Sequence, residues 1–368
     1  MKKLFSEFNG VDKKEWLKKV EQDLKGKPLN GLNSELFDLE FSPFYHLDDL
    51  EQLPYTLNSG QSSNDWEIAE RIHVVDYKIA NYKAIKSLEY GAQALQFIFS
   101  KCPTKIELKT LLTKINLEFI SVHFFMEQEN GEELISNFID FCQTNNINLQ
   151  KIYGSFNVKT IQKSTLFDSQ WINSHLKSLP NFALLTINCN KYYNGKQHVI
   201  SELAQILKEG NDLLIALKEQ KLKTLNIRFS IVIGEDFFIN IAKLRAFKML
   251  WIQILETWEL TYPIYTKIEV HLAENSQTEN ANSNMIKATS QAMSAVLGGT
   301  HTLFLLPSDN STQKDGTDFS RRIARNIQHL LKMENYLNRV IDPSAGSYFI
   351  ENLTQNMAEQ AWSAFQKT

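Results

Sequence analysis

Histidine and cysteine are the side chains here best suited to hold a metal or attack an electrophile, and their spacing argues against both roles. His271, His301 and His329 fall on three different expected elements. No two histidines stand four residues apart on a helix, and no H-E-x-x-H frame occurs, so ordinary core or surface histidines are the favoured reading. Cys102, Cys142 and Cys189 are far apart, odd in number and without a C-x-x-C pair. A disulfide framework or a cysteine-built zinc site is therefore not expected, and reduced thiols of a cytoplasmic protein fit better. The 14 glycines never place three within six residues, which excludes a G-x-G-x-x-G fingerprint and a P-loop.

The bulk composition sets the frame for these residues. A chain of 368 residues suffices for one large α/β domain or two smaller ones. A net charge of −3 and a pI near 6.3 give no reason to expect nucleic acid or an anionic membrane as partner. No run approaches the ~18 apolar residues of a membrane span. The basic start Lys2-Lys3 is followed by no apolar stretch, so no secretory signal is expected.

The elements that must position any site follow from periodicity. Trp16, Val20 and Leu24 predict a short amphipathic helix over 11–25, stopped by Gly26 and Pro28. It could pack on its own domain or on a partner chain. Residues 29–65 read as irregular and polar, with Pro43, Pro54 and Gly60, so 1–65 is expected to be an arm. Beyond it, β-branched and aromatic runs alternate with helix-period stretches such as Val199-Leu203-Ile206-Leu207-Leu214 and Phe319-Ile323-Ile327-Leu330. The runs are 94–100, 117–125, 151–158, 182–189, 228–234, 267–273, 301–306 and 340–350. Eight strand–helix units predict an α/β fold, a (β/α)8 TIM barrel over 66–368; the open alternative is a doubly wound sheet.

Five stretches stand out along the chain. They are Ser42-Pro43-Phe44-Tyr45-His46-Leu47-Asp48-Asp49-Leu50, Trp66-Glu67-Ile68-Ala69-Glu70-Arg71, and the run from Phe229 to Arg245 (FSIVIGEDFFINIAKLR). The fourth runs from Asn284 to Thr289 and from Ala292 to Gly298-Gly299-Thr300. The fifth is Asn338-Arg339-Val340-Ile341-Asp342-Pro343-Ser344-Ala345-Gly346 continuing to Glu351, preceded by Arg322-Ile323-Ala324-Arg325-Asn326. In this order the five resemble the acyl-CoA mutase barrel of the methylmalonyl-CoA mutase family. Each also has a structural account. Gly298-Gly299 suits a helix C-cap, Asp342-Pro343-Ser344-Ala345-Gly346 is turn chemistry, and Lys243 with Arg245 reads as an outward charge pair on one helical turn. The last stretch is expected to be the strand that completes the barrel.

What the resemblance implies about chemistry turns on the barrel mouth, where such folds keep their active sites. The family's chemistry is a radical rearrangement of an acyl-CoA, for which adenosylcobalamin supplies the difficult step. The family's tyrosine in its R-Q-Y motif falls on Arg71. Its histidine on the thioester carbonyl falls on Lys191, with Tyr192 and Tyr193 nearby if the register slips. Its second histidine after G-G-T falls on Phe304, which would make the rim apolar. No arginine lies between Arg71 and Arg228, where the family places one for a substrate carboxylate. No D-x-H-x-x-G cobalt-ligating run occurs.

The resemblance therefore implies a small, non-catalytic barrel subunit of a heterodimeric methylmalonyl-CoA mutase. Such a chain would have no catalytic residues, no bound cofactor and no cobalamin domain. It would pair with a catalytic large subunit that carries adenosylcobalamin, in the cytoplasm. Two readings stay open beside it: an active substrate subunit whose cobalamin domain is a separate chain, and a stand-alone barrel that kept an acyl-CoA pocket.

Overall fold

The computed structural model describes residues 10–36, 39–50, 63–126, 131–158, 169–195, 198–218, 224–258 and 263–368. Pro54 and Gly60 of the expected arm lie outside them. The chain starts with α1 (Lys13–Asp23), capped by the Asp12 side chain, and a small hairpin of β1 (Ser34–Leu36) and β2 (Leu39–Phe41). Trp16 packs on Phe44 with ring centroids 4.3 Å apart.

Nine parallel strand segments then build the barrel. They are β3 (Glu67–Val74), β4 (Ala94–Phe99), β5 (Ser121–Met126), β6 (Tyr153–Val158), β7 (Phe182–Ala183), β8 (Leu185–Asn188), β9 (Leu225–Ile233), β10 (Ile264–Leu272) and β11 (Thr302–Phe304). Their order is β7-β6-β5-β4-β3-β11-β10-β9-β8. Only Leu184 separates β7 from β8, so the two act as one stave. Its first half pairs with β6 (Ser155 beside Ala183) and its second with β9 (Thr186 beside Arg228). Across this join Asn226 Nδ2 donates to the Pro180 carbonyl at 2.6 Å. The ring thus has eight staves, and the barrel rather than the open sheet is the fold.

Each stave is followed by a helix: α2 (Tyr77–Glu89), α3 (Lys105–Leu112), α4 (Gly131–Thr144), α5 (Ser169–Ser178), α6 (Val199–Leu217), α7 (Phe237–Thr257), α8 (Ala281–Leu297) and α9 (Asp318–Met333). Local signals start and stop them. Thr104 and Glu107 form a reciprocal capping box on α3. Gly299 takes φ +82° just past α8, the left-handed position for which the Gly298-Gly299 pair was suited. The main core lies between sheet and helices. There Phe124 stacks on Phe156 at 5.3 Å and meets the edge of Phe138 at 4.9 Å.

Two expectations are corrected. The run 340–350 is not a strand. Residues 342–347 form hydrogen-bonded turns (Ala345 N–H to Asp342 C=O, 3.1 Å), and Ser347 then precedes α10 (Tyr348–Phe365). Tyr348-Phe349-Ile350 is apolar because it opens a helix that packs on α6 and α7, and a short apolar run has no period of its own to say so. The missing stave is β3. It escaped the strand count because it carries charges on both faces: Glu67 and Arg71 point into the barrel, whereas Glu70 points out and pairs with Arg321 and Arg325 of α9. The N-terminal segment packs on its own chain, with Phe41 and Tyr45 on Phe349 of α10 and Asn352 Nδ2 donating to the Asp49 carbonyl at 3.3 Å.

Candidate functional site

At the C-terminal ends of the strands the barrel opens into a cleft of about 650 Å³. Strand alternation selects its lining. Residues two apart point to one side of a strand, so Arg71 and His73 of β3 reach it together, as do Gln96 and Ile98 of β4, and Ser230 and Val232 of β9. Asn188 ends β8, and Asn157 and His271 each stand one residue before the end of β6 and β10; all three line it too. Arg71 Nη2 donates to Glu274 Oε1 at 3.2 Å. His73 Nδ1 lies 2.6 Å from Asp315 Oδ1, and Asp315, also bonded to Lys83, is held below the usual carboxylate range: burial would raise it, but the hydrogen bonds from His73 and Lys83 win.

Beneath the cleft the barrel axis is filled by buried polar and aromatic groups. Arg228 Nη1 donates to Thr302 Oγ1 at 2.9 Å and reaches Glu269 Oε2 at 3.5 Å. Thr302 in turn donates to Glu67 at 2.7 Å. His123 Nδ1 lies 2.8 Å from Ser155 Oγ. Phe304 stacks flat on His271, with centroids 4.6 Å apart and 1° between planes, and Ala69 and Ala94 close round it. Arg228, Glu269, His123, Thr302 and Phe304 are all buried.

This burial reshapes the titration of the layer. Desolvation, reinforced by the Arg228 charge, pushes His123 down to about 3, so the ring is neutral at pH 7. Burial likewise lowers His271, against the pull of Glu269. For Glu269 burial alone would raise the pKa, but the His271 hydrogen bond and the Arg228 charge bring it down to about 2.

The three positions singled out from the sequence meet different fates. Arg71 and Lys191 both line the cleft; Phe304 does not, because it lies below the floor among buried groups. The expected apolar rim is therefore corrected: amides and cations line it together with apolar side chains such as Val74, Val75, Ile98 and Phe125. Lys191 stands on the short 3-10 turn Cys189–Tyr192 after β8 and donates to Glu209 at 2.9 Å, with its ammonium over the Tyr192 ring. Burial would lower its pKa, yet the Glu209 bond and charge leave it raised. Sequence reasoning missed Asn157 and Ser230. Their signal was the period-2 alternation inside the runs 151–158 and 228–234, which puts Asn157 at the last inward position of β6 and Ser230 at the inward position before Val232 on β9.

Among the described residues, five that line the cleft carry a buried side-chain atom without a hydrogen-bond partner: Arg71 Nε, Asn157 Nδ2, Asn190 Oδ1, Ser230 Oγ and His271 Nδ1. An unsatisfied buried polar group costs about 1–3 kcal/mol.

The family-like stretches behave differently. Arg245, expected to face outward with Lys243, is buried, as is Lys243. Lys243 pairs with Glu202 of α6 and donates to the Val232 carbonyl at 2.8 Å. Arg245 bonds Asp342 through Nε (3.2 Å) and Nη2 (2.9 Å), Glu351 through Nη2 (3.0 Å) and Thr354 through Nη1 (3.1 Å). The reason is that α7 lies between the barrel and α6 and α10, so little of it faces water. Two of the sequence stretches that looked most telling are thus bolted to each other.

Among the described residues no group of three or more His, Cys, Asp or Glu could hold a metal. His301, on the loop before β11, accepts from the Ile268 N–H through Nδ1 at 3.1 Å, and His329 of α9 lies 3.4 Å from the Tyr90 carbonyl. Neither histidine of the cleft is free to ligate cobalt. Of its histidines, His73 is held by Asp315, while His271 lies face to face on Phe304, with Glu269 on Nε2 and Nδ1 closed off from water. No helix is long and apolar enough to cross a membrane.

Fold and site together define a (β/α)8 barrel protein with an open mouth of mixed lining and a filled axis. A sequence model described as methylmalonyl-CoA mutase matches residues 101–368, and the chain belongs to that family. It is 32% identical over 99% of its length to the methylmalonyl-CoA mutase small subunit of Porphyromonas gingivalis (strain ATCC BAA-308 / W83), covering 63% of that protein. It is 26% identical over 99% of its length to the small subunit of Propionibacterium freudenreichii subsp. shermanii, again 63% of that protein. A shorter match, 36% over 37% of this chain and 19% of the relative, is to the large subunit of the same organism. The chain thus spans under two thirds of these relatives' length.

Proposed function

We propose that this chain is the barrel-only small subunit of an adenosylcobalamin-dependent methylmalonyl-CoA mutase, non-catalytic itself and paired with a catalytic large subunit that holds the cofactor. On this reading residues 1–65 are an arm, 66–368 the barrel, and the complex works in the cytoplasm. The small-subunit relatives support the assignment. The single observation that carries the non-catalytic role is the occupation of the family's three working positions. Arg71 is paired with Glu274, Lys191 with Glu209, and Phe304 is packed on His271 below the floor. A lysine tied to a carboxylate is a poor replacement for a fixed imidazole donor at a thioester carbonyl.

The test is co-expression with the large subunit. A 1:1 complex should form and isomerise methylmalonyl-CoA, turnover should survive Lys191→Ala in this chain, and the chain alone with adenosylcobalamin should show none. A chain that stays monomeric beside its large subunit, or turns over methylmalonyl-CoA alone or with a separate cobalamin-binding chain, would overturn the proposal.

A further inference from the structure

We propose that the outward face of α9 is the seam on which the catalytic large subunit docks, with a helix whose apolar ridge is flanked by acidic side chains. The inference rests on the small-subunit reading and adds the surface to it. A helix on the outside of a domain ordinarily turns its apolar stripe to the core and its polar residues to water. In α9 the order is largely reversed. Four of its seven buried residues are polar: Ser320, Arg321, Arg325 and Gln328. Each is answered from inside the molecule. Arg321 and Arg325 bond Glu70 of β3, Gln328 accepts from Trp66 Nε1 at 3.3 Å, and Ser320 bonds Asp309 and the Thr317 carbonyl. Facing water instead are Phe319, Leu330 and Met333, 54%, 48% and 66% exposed, with Ile323 half-buried between them.

Spacing says what kind of partner this face takes. Phe319, Ile323, Asn326, Leu330 and Met333 follow one another at intervals of four, three, four and three. That is the repeat on which one helix receives another, knobs into holes. A membrane-surface helix carries a broader apolar face ringed by basic residues; here the line is narrow and has the exposed Asn326 at its centre. A single Asn in such a seam serves register and partner choice at a cost in stability. Charge says what flanks the partner's ridge. The Arg322 guanidinium lies over the Phe319 ring at 5.6 Å, and Arg339, just past α9, lies over Tyr336 at 4.4 Å. Among the described residues neither arginine has a carboxylate partner, and Glu334 is the one acid at this end of the helix without a cation. Acidic side chains on the docking helix would answer both. A second copy of this chain offers the same cations and one acid, so it answers them less well. Phe, Tyr, Met and Arg are also the residues enriched where proteins meet.

The experiment is sedimentation of the full chain with its large subunit, parent against variants whose fold is checked by thermal melting. The parent should form a 1:1 complex and stay monomeric alone. Leu330→Glu with Met333→Glu should weaken that complex about 100-fold or more, because two carboxylates would enter an apolar seam. Arg322→Glu should weaken it about tenfold and flatten its salt dependence. Ile215→Glu, similarly exposed on α6, should leave it unchanged. The surface alone is overturned if the parent complex forms and the folded double variant binds as tightly, or if the double variant abolishes only a pairing of the chain with itself. Surface and small-subunit reading fall together if the parent forms no complex. Should the double variant not fold, unchanged affinity and salt dependence in Arg322→Glu overturn the surface.

Discussion

Arg245 and Arg71 show two ways of placing a guanidinium in one barrel. Arg245, in the seam between α7 and α10, bonds two carboxylates and a hydroxyl and is shut away from water. Arg71, at the mouth, has one half-solvated carboxylate and an idle Nε. A buried charge with every donor answered locks two elements together. A charge at the wall of an open cleft with donors to spare is available to something else. Arg245, Asp342 and Glu351, from two of the family-like stretches, belong to the first kind and have a fold-building account.

The contrast can be broken most forcefully at the seam. Arg245→Met leaves the buried Glu351 and the partly buried Asp342 without their cation and should cost about 3–5 kcal/mol, read as a lower urea midpoint. A second, smaller effect belongs to the layer under the cleft. His123 is held neutral down to about 3 in the folded chain, against 6.5 for the free side chain, so the unfolded state takes up its proton first. Stability should therefore be full above pH 6.5 and fall as the pH drops toward 3. Roughly 1–2 kcal/mol from this one ring should go between pH 6.5 and 5. His123→Gln should flatten that slope in a Tm-against-pH series. At the mouth the effect should be smallest: Arg71→Gln removes a half-exposed pair and should change stability by no more than about 1 kcal/mol. A loss at Arg71 as large as that at Arg245 would erase the distinction between the two sites.

Much of the barrel was legible from residue order. Seven of the expected runs overlap real staves, and the Gly298-Gly299 cap stands where its chemistry required. The errors have one cause: a strand or helix was judged by its own residues when its neighbours decided it. Glu67–Val74 was not among the expected runs, yet Thr302 and Ser121 answer Glu67 inside and two arginines answer Glu70 outside. The site was less legible. Arg71 and Lys191 could be named, but the rim they share with Asn157, Ser230 and His271 comes from five different staves, and nothing local says that these meet. Phe304 was read as a rim residue because its place along β11 was known and its depth in the barrel was not.

The sequence by itself determined the alternation of strand and helix, the caps and turns that bound them, the absence of a glycine-rich phosphate cradle and the family. These rest on contacts within a few residues or on period, which a linear order records. Only the tertiary structure decided which charges are answered. Arg245 meets Glu351 across 106 residues and Arg325 meets Glu70 across 255. A hydrogen bond needs its partner within about 3 Å, and that proximity is set by how the ring of staves closes, a property no single stretch contains.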